Sequence, residues 1–127
     1  MPDWLTGWAN PLAVVLGGAA GAWCRYAVGH WAARFHAIQT FPWHTFAVNV
    51  LGSFVLGLVA VWYKDRPAWF LLLGTGFCGG FTTFSTFSIE LVTLLEKDRT
   101  AAAIAYAAGS VAAGIIGAVV AMRMARG

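Results

Sequence analysis

Charge is what this sequence most lacks: Asp, Glu, Lys and Arg together make up 10% of the 127 residues, against 60% hydrophobic side chains. A soluble domain is about one quarter charged, so a water-exposed globular fold is excluded and a polytopic membrane protein indicated. Cysteine is scarce too. Cys24 and Cys78 both lie in apolar stretches, which leaves no disulfide framework or thiolate metal centre and makes both small core residues. The formal charge of +3 is spread over the connections without a basic block, so no nucleic acid partner is expected. The opening MPDWLTGW carries an acid where a signal peptide has basic residues, and the apolar run after it is too long; the mature protein is expected to keep its N-terminus.

What the chain has in abundance is long apolar runs. A membrane-crossing helix needs about 20 such residues, and four windows qualify: Pro11–Arg34, Trp43–Tyr63, Ala68–Leu95 and Ala101–Met122. The segments RFHAIQTFP, KDRP and EKDRT separate them. Trp8, Trp31, Trp43, Trp62 and Trp69 fall near the ends, where indole places its ring in apolar surroundings and its N–H among headgroups. The expected fold is an all-α integral membrane protein, residues 1–127 forming one membrane domain embedded in the lipid bilayer.

Four spans put both termini on one side, with Lys64, Arg66, Arg123 and Arg126; Arg34, Lys97 and Arg99 lie on the other, and Arg25 is inside the first span nearer that second side. Four against three is too weak a bias to fix orientation. Insertion both ways and an antiparallel homodimer follow, unless a partner fixes the direction.

Within the third window Gly74, Gly76, Gly79 and Gly80 crowd into seven residues, each costing a helix about 1 kcal/mol relative to alanine. They adjoin the centre of the span, so a break of the third helix is expected at mid-membrane. Unpaired backbone there must be buried in protein or line a cavity. The break would present carbonyls from one half-helix and N–H groups from the other, as in transporters, and Thr82, Thr83 and Ser85 are good N-cap types for the second half. Two readings stand: converging carbonyls that cage a small cation, or a close-packing point for a neighbouring helix.

Phe84 and Phe87 share a face of the second half, among Thr83, Thr86 and Ser88. Ring edges are electropositive, so the pair suits a partly dehydrated anion, or simply a core. Thr45, Asn49 and Ser53 recur every fourth residue in the second helix, as do Tyr106 and Ser110 in the fourth. These neutral donors either line an anion path or hydrogen-bond helices together. Arg25 either draws an anion into a vestibule or lies among headgroups; Glu90, solvated or paired, is an odd neighbour for an anion unless it faces away or a cation neutralises it.

GGFTTFSTFSIE, GGAAGAWCRY and NVLGSFVLG, with the Tyr106/Ser110 pair, closely resemble the motifs of the Fluc (CrcB) family of bacterial fluoride ion channels, over nearly the whole chain. The resemblance implies a dual-topology homodimer in the bacterial inner membrane. Two fluoride pores would pass the ion passively, discriminate against chloride, and return cytoplasmic fluoride outward; the protein would not be an enzyme. It further implies a structural sodium ion at the dimer centre held by main-chain carbonyls of Gly79 and Thr82. The pore would be formed by Asn49, Phe84, Phe87, Tyr106 and Ser110, with hydroxyls from Ser85 and Thr86, and Arg25 and Thr45 would stand at the vestibule. One departure is FPWHTF, in which His44 stands where family members often carry glycine, implying a more crowded or pH-sensitive entrance.

Two rivals share the length and helix count. A proton-coupled small multidrug exporter is expected to carry an acid in its first helix, where this chain has only Arg25. A non-transporting assembly subunit would use the same small and hydroxyl residues for packing alone.

Overall fold

The computed structural model describes residues 7–35 and 41–127; the reading of the N-terminal segment, and the middle of the first connection, fall on residues outside these. Four helices are long and apolar enough to cross a membrane: α1 (Ala9–Ala32), α2 (Trp43–Trp62), α3 (Pro67–Glu96) and α4 (Thr100–Arg126). No strand occurs among the described residues. The last helix runs past the apolar window through Arg123 and Arg126, cations that complement the carbonyls of a helix C-terminus.

α3 is not one continuous helix. Pro67–Phe70 starts it, with the proline at its first turn, where the missing N–H would lack a helical partner anyway. Leu71–Cys78 is wound as a π-helix, and Gly79–Phe81 adds a last α-turn. The chain then leaves the helix, Thr82 adopting an extended conformation with ψ 160, and restarts at Ser85–Glu96. The interruption therefore lies at Thr82–Phe84, just beyond the glycines.

The α3 glycines serve packing instead: a Cβ on Gly80 would strike the Gly18 carbonyl, and one on Gly76 would crowd Gly17 and the Val14 carbonyl. α1 lies so close against the π segment that a Cβ on Gly17 would strike the Leu72 carbonyl, and one on Gly21 the Phe77 carbonyl. Spaced four apart, the two glycines form a smooth groove on α1 in which the backbone of α3 rests. The first half of α3 packs chiefly on α1, α2 packs along α4, and the second half of α3 turns to α4. There Leu94, Ala103 and Tyr106 form a core cluster, with Phe41, Phe46, Phe87 and Leu91 against it.

Burial is sparse elsewhere. Between 11% and 28% of each span's most apolar stretch is buried. The accessible surface is 8179 Å², where a compact soluble chain of this mass exposes about 6600 Å². Trp8, Trp31, Trp43, Trp62 and Trp69 are all exposed near helix ends. Cys78 is buried and Cys24 partly so, both as free thiols.

Candidate functional site: a groove at the helix break

Gly52 explains how the break is held. It is three residues beyond Asn49, on the same face of α2, and a Cβ there would run into the Thr82 side chain. Without one, α2 comes near enough for Asn49 to reach across. Its Nδ2 donates to the Thr83 carbonyl at 3.0 Å, and its Oδ1 accepts the Thr83 N–H at 2.7 Å. Ser53 Oγ donates to the Asn49 carbonyl at 2.8 Å, so the polar stripe of α2 is partly self-engaged and partly a splint.

The splint redirects the helical ladder. The Thr83 N–H, the ordinary partner of the Gly79 carbonyl, goes to Asn49. The Thr86 N–H, the ordinary partner of the Thr82 carbonyl, goes to Thr83 Oγ1 at 3.2 Å, which makes Thr83 the side-chain cap of the second half-helix. The carbonyls of Gly79 and Thr82 thereby lose their ordinary helical donors, and both residues line one groove. The Gly80 carbonyl is taken by Arg25 Nε at 3.2 Å. The guanidinium thus turns inward to cap the C-terminal end of the first half-helix instead of reaching the headgroups, and its charge complements that end of the dipole.

The groove, about 590 Å³, is lined by Asn49, Ser53, Gly79, Thr82, Thr83, Phe84, Phe87 and Ser110, among others. Every polar group on it is uncharged. Phe84 and Phe87 stand with ring centroids 6.0 Å apart; Phe84 is 79% exposed on the open side, whereas Phe87 leans on Tyr106 at 4.9 Å. Among the described residues, Ser110 Oγ is buried without a hydrogen-bond partner, leaving its donor and acceptor capacity available. Ser85 does not line the groove; it is exposed, its Oγ 3.4 Å from Thr83 Oγ1.

Toward the Arg34 and Lys97 side lie two further cavities. One, about 360 Å³, is lined by Arg25, His30, His44, Thr45, Thr83 and Thr86. The other, about 450 Å³, includes His44, Glu90, Lys97 and Arg99. Thr45 is buried. Tyr106 is fully buried beneath them, its hydroxyl donating to Glu90 Oε1 at 3.2 Å, while His44 Nε2 lies 4.0 Å from Glu90 Oε2. Glu90 is therefore a paired acid, facing the cavity and not the groove.

The groove, then, unites Asn49, Phe84, Phe87 and Ser110 with Gly79 and Thr82; the cavities take Arg25, Thr45 and Thr86; Tyr106 joins the two regions from below. Sequence reading gave Thr83 only a capping part and foresaw neither its bonding to Asn49 nor the bond from Arg25 to Gly80. An amide in mid-span beside a glycine three residues on is the signal that could have found the first. Among the described residues no group of three His, Cys, Asp or Glu side chains could hold a metal ion; carbonyl oxygen is the donor type the groove offers a hard cation.

The profile of the family described as CrcB-like protein, Camphor Resistance (CrcB), matches residues 12–122. The chain is 45% identical over 112 residues to a protein named fluoride-specific ion channel FluC from Erythrobacter litoralis (strain HTCC2594), covering 82% of each chain. A protein of the same name from Methylobacterium nodulans (strain LMG 21967 / CNCM I-2342 / ORS 2060) is 46% identical over 112 residues, covering 85% of this chain and 89% of its own. Fluoride-specific ion channel FluC 2 of Rhodococcus jostii (strain RHA1) is 44% identical over 113 residues, covering 89% and 96%.

Proposed function

Because the chain belongs to the CrcB-like family, we propose that it is a fluoride channel, a multi-pass bacterial membrane protein that lets fluoride leave the cytoplasm passively and so limits its toxicity. The observation that carries the reading is the groove itself: an uncharged passage lined by hydroxyls, an amide and two phenylalanines, at the N-terminal end of a half-helix. Fluoride is small and strongly hydrated, so its water must be replaced by donors that do not trap it. The free hydroxyl of Ser110, the edges of Phe84 and Phe87, and the positive dipole end at Ser85 and Thr86 offer that replacement without a full countercharge. The driving force is the membrane potential, worth about 2.3 kcal/mol per charge per 100 mV. No nucleotide and no catalytic group is required.

One chain supplies only one wall of the groove. A second copy, inserted head to tail, closes it and yields two equivalent pores; the large exposed apolar surface and the near-even distribution of cations support that arrangement. The released carbonyls of Gly79 and Thr82 would meet their counterparts at the twofold axis and hold a sodium ion. The fit lies in their chemistry, hard neutral oxygens freed from the ladder by Asn49 and Thr83. Bound there, the cation supplies a fixed positive charge between like carbonyl dipoles.

Fluoride efflux from liposomes carrying the purified protein, followed with a fluoride electrode, tests the reading. Rapid efflux without a proton gradient is expected; vesicles as tight as protein-free ones overturn it. Labelling a single introduced cysteine at Lys64 from each side of sealed cells tests the dimer, with both sides expected to react equally and one-sided reaction ruling the antiparallel arrangement out.

A further inference from the structure

His44 lines both cavities on the Arg34 side of the molecule, at the start of α2, and so stands at their junction. It also faces Glu90, a carboxylate that lines one of them. Glu90 uses its two oxygens differently: Oε1 accepts the Tyr106 hydroxyl at 3.2 Å, and Oε2 lies 4.0 Å from His44 Nε2. An anion entering through the cavity that Glu90 lines, toward Phe87 and Tyr106, passes this carboxylate, whose charge opposes it.

We infer that His44 sets the charge of the pore mouth: carrying a proton it offsets Glu90, and without one it leaves that carboxylate exposed to incoming fluoride. The inference rests on the fluoride-channel reading above. His44 is a positioning residue, acting through Glu90 and Tyr106. A proton on Nε2 turns the 4.0 Å approach into an ion pair. The Tyr106 hydroxyl has one proton to donate and cannot serve the carboxylate and a passing anion together, so a compensated Glu90 holds it less strongly.

The other groups around His44 do not supply this response. Arg25 and Tyr26 on α1, and Lys97 and Arg99 between α3 and α4, share its cavities, and Tyr106 on α4 bonds Glu90; none of them is an imidazole. Arg25 is engaged with the Gly80 carbonyl. Among the described residues His30 on α1 is the other imidazole; it lines only the cavity that Glu90 does not and is stacked on Tyr26 with ring centroids 6.0 Å apart. Since imidazole is the side chain whose charge changes between about pH 5 and 8, the mouth becomes more favourable to fluoride as the solution turns acidic. That is the condition under which more fluoride enters a cell as the neutral acid.

The test is the fluoride current of the purified full-length protein in planar lipid bilayers, with the same pH on both sides. Neutral HF carries no charge and does not contribute. Current is expected to rise roughly threefold or more between about pH 8 and about pH 5.5 as the imidazole takes its proton. His44→Gln should hold the current at the low level throughout, His44→Arg at the high level throughout, and His30→Gln should retain the response. A wild-type current indifferent to pH, or a response that survives in His44→Gln or in His44→Arg, overturns the inference while leaving the channel reading intact. Absence of fluoride current at every pH overturns both.

Discussion

Asn49 clasps Thr83 by both of its main-chain groups, donating to the carbonyl at 3.0 Å and accepting the N–H at 2.7 Å, across 34 residues of sequence. The side-chain amide does here what a neighbouring peptide does in a helix. Asn49→Ala strands two backbone groups, each costing about 1–3 kcal/mol when left unpaired. A lower melting temperature in detergent and a fluoride efflux reduced by about tenfold or more are expected. Asn49→Asp keeps the acceptor for the Thr83 N–H and loses the donor. Its melting temperature should fall between the two, but its efflux should be as low as that of the alanine variant, because a carboxylate now faces the groove. An unaltered melting temperature in Asn49→Ala would contradict the splint.

Packing of α1 on the π segment makes an opposite prediction for glycines in different helices. Gly17→Ala and Gly21→Ala push a methyl into main-chain carbonyls that cannot step aside, an overpacking that costs about 1–3 kcal/mol or more. Gly109→Ala meets only the Phe46 ring at ordinary contact distance, 3.9 Å, and gains helix propensity of about 1 kcal/mol. Yield and monodispersity on gel filtration should collapse for the first two and persist for the third.

The two phenylalanines of the groove separate transport from folding. Phe84 is 79% exposed in the single chain, so Phe84→Ala removes no packing within it and should cost less stability than Phe87→Ala, while fluoride efflux falls by about tenfold, the loss expected when a desolvating group is removed from a narrow path. Phe87 packs on Tyr106 at 4.9 Å, and Phe87→Ala should cost about 2 kcal/mol of stability in addition to efflux. Equal stability losses in the two variants would refute this division.

If the carbonyls of Gly79 and Thr82 hold sodium between two copies, the assembly should be stabilised by it through mass action. Raising sodium from about 1 to about 100 mM, with potassium or N-methylglucamine balancing ionic strength, should raise the melting temperature by a few degrees. Potassium alone should not. Thr82→Ala removes the hydroxyl that donates to the Cys78 carbonyl at 2.8 Å but keeps the main-chain oxygen, so its sodium response should remain.

The helices were legible because a bilayer demands runs of some 20 apolar residues, and charged or proline-bearing segments punctuate them. The break was legible only approximately. Glycine content pointed at residues 74–80, yet helical winding persists there because α1 packs against the bare backbone; the chain departs at Thr82, where Asn49 and the Thr83 hydroxyl compete for N–H groups. That competition depends on a contact between two helices, which periodicity along one helix does not encode. For the same reason Thr45, Asn49 and Ser53 could be read as one stripe, whereas the bond from Arg25 to Gly80 and the approach of His44 to Glu90 could not. The exposed position of Phe84 was likewise hidden, since spacing places a residue on a face without saying what lies opposite.

The two halves of α3 are fastened to different neighbours, the first to α1 and the second to α4, with Thr83 clamped between. Each residue added to or removed from the stretch between Gly80 and Ser85 would put the second half-helix out of step with the first, swinging Phe87 off Tyr106 or tearing Thr83 from its clamp. That stretch therefore works as a ruler: its length is under tighter constraint than the identity of most side chains on it, and single-residue insertions or deletions there should be far less tolerated than substitutions such as Ser85→Thr.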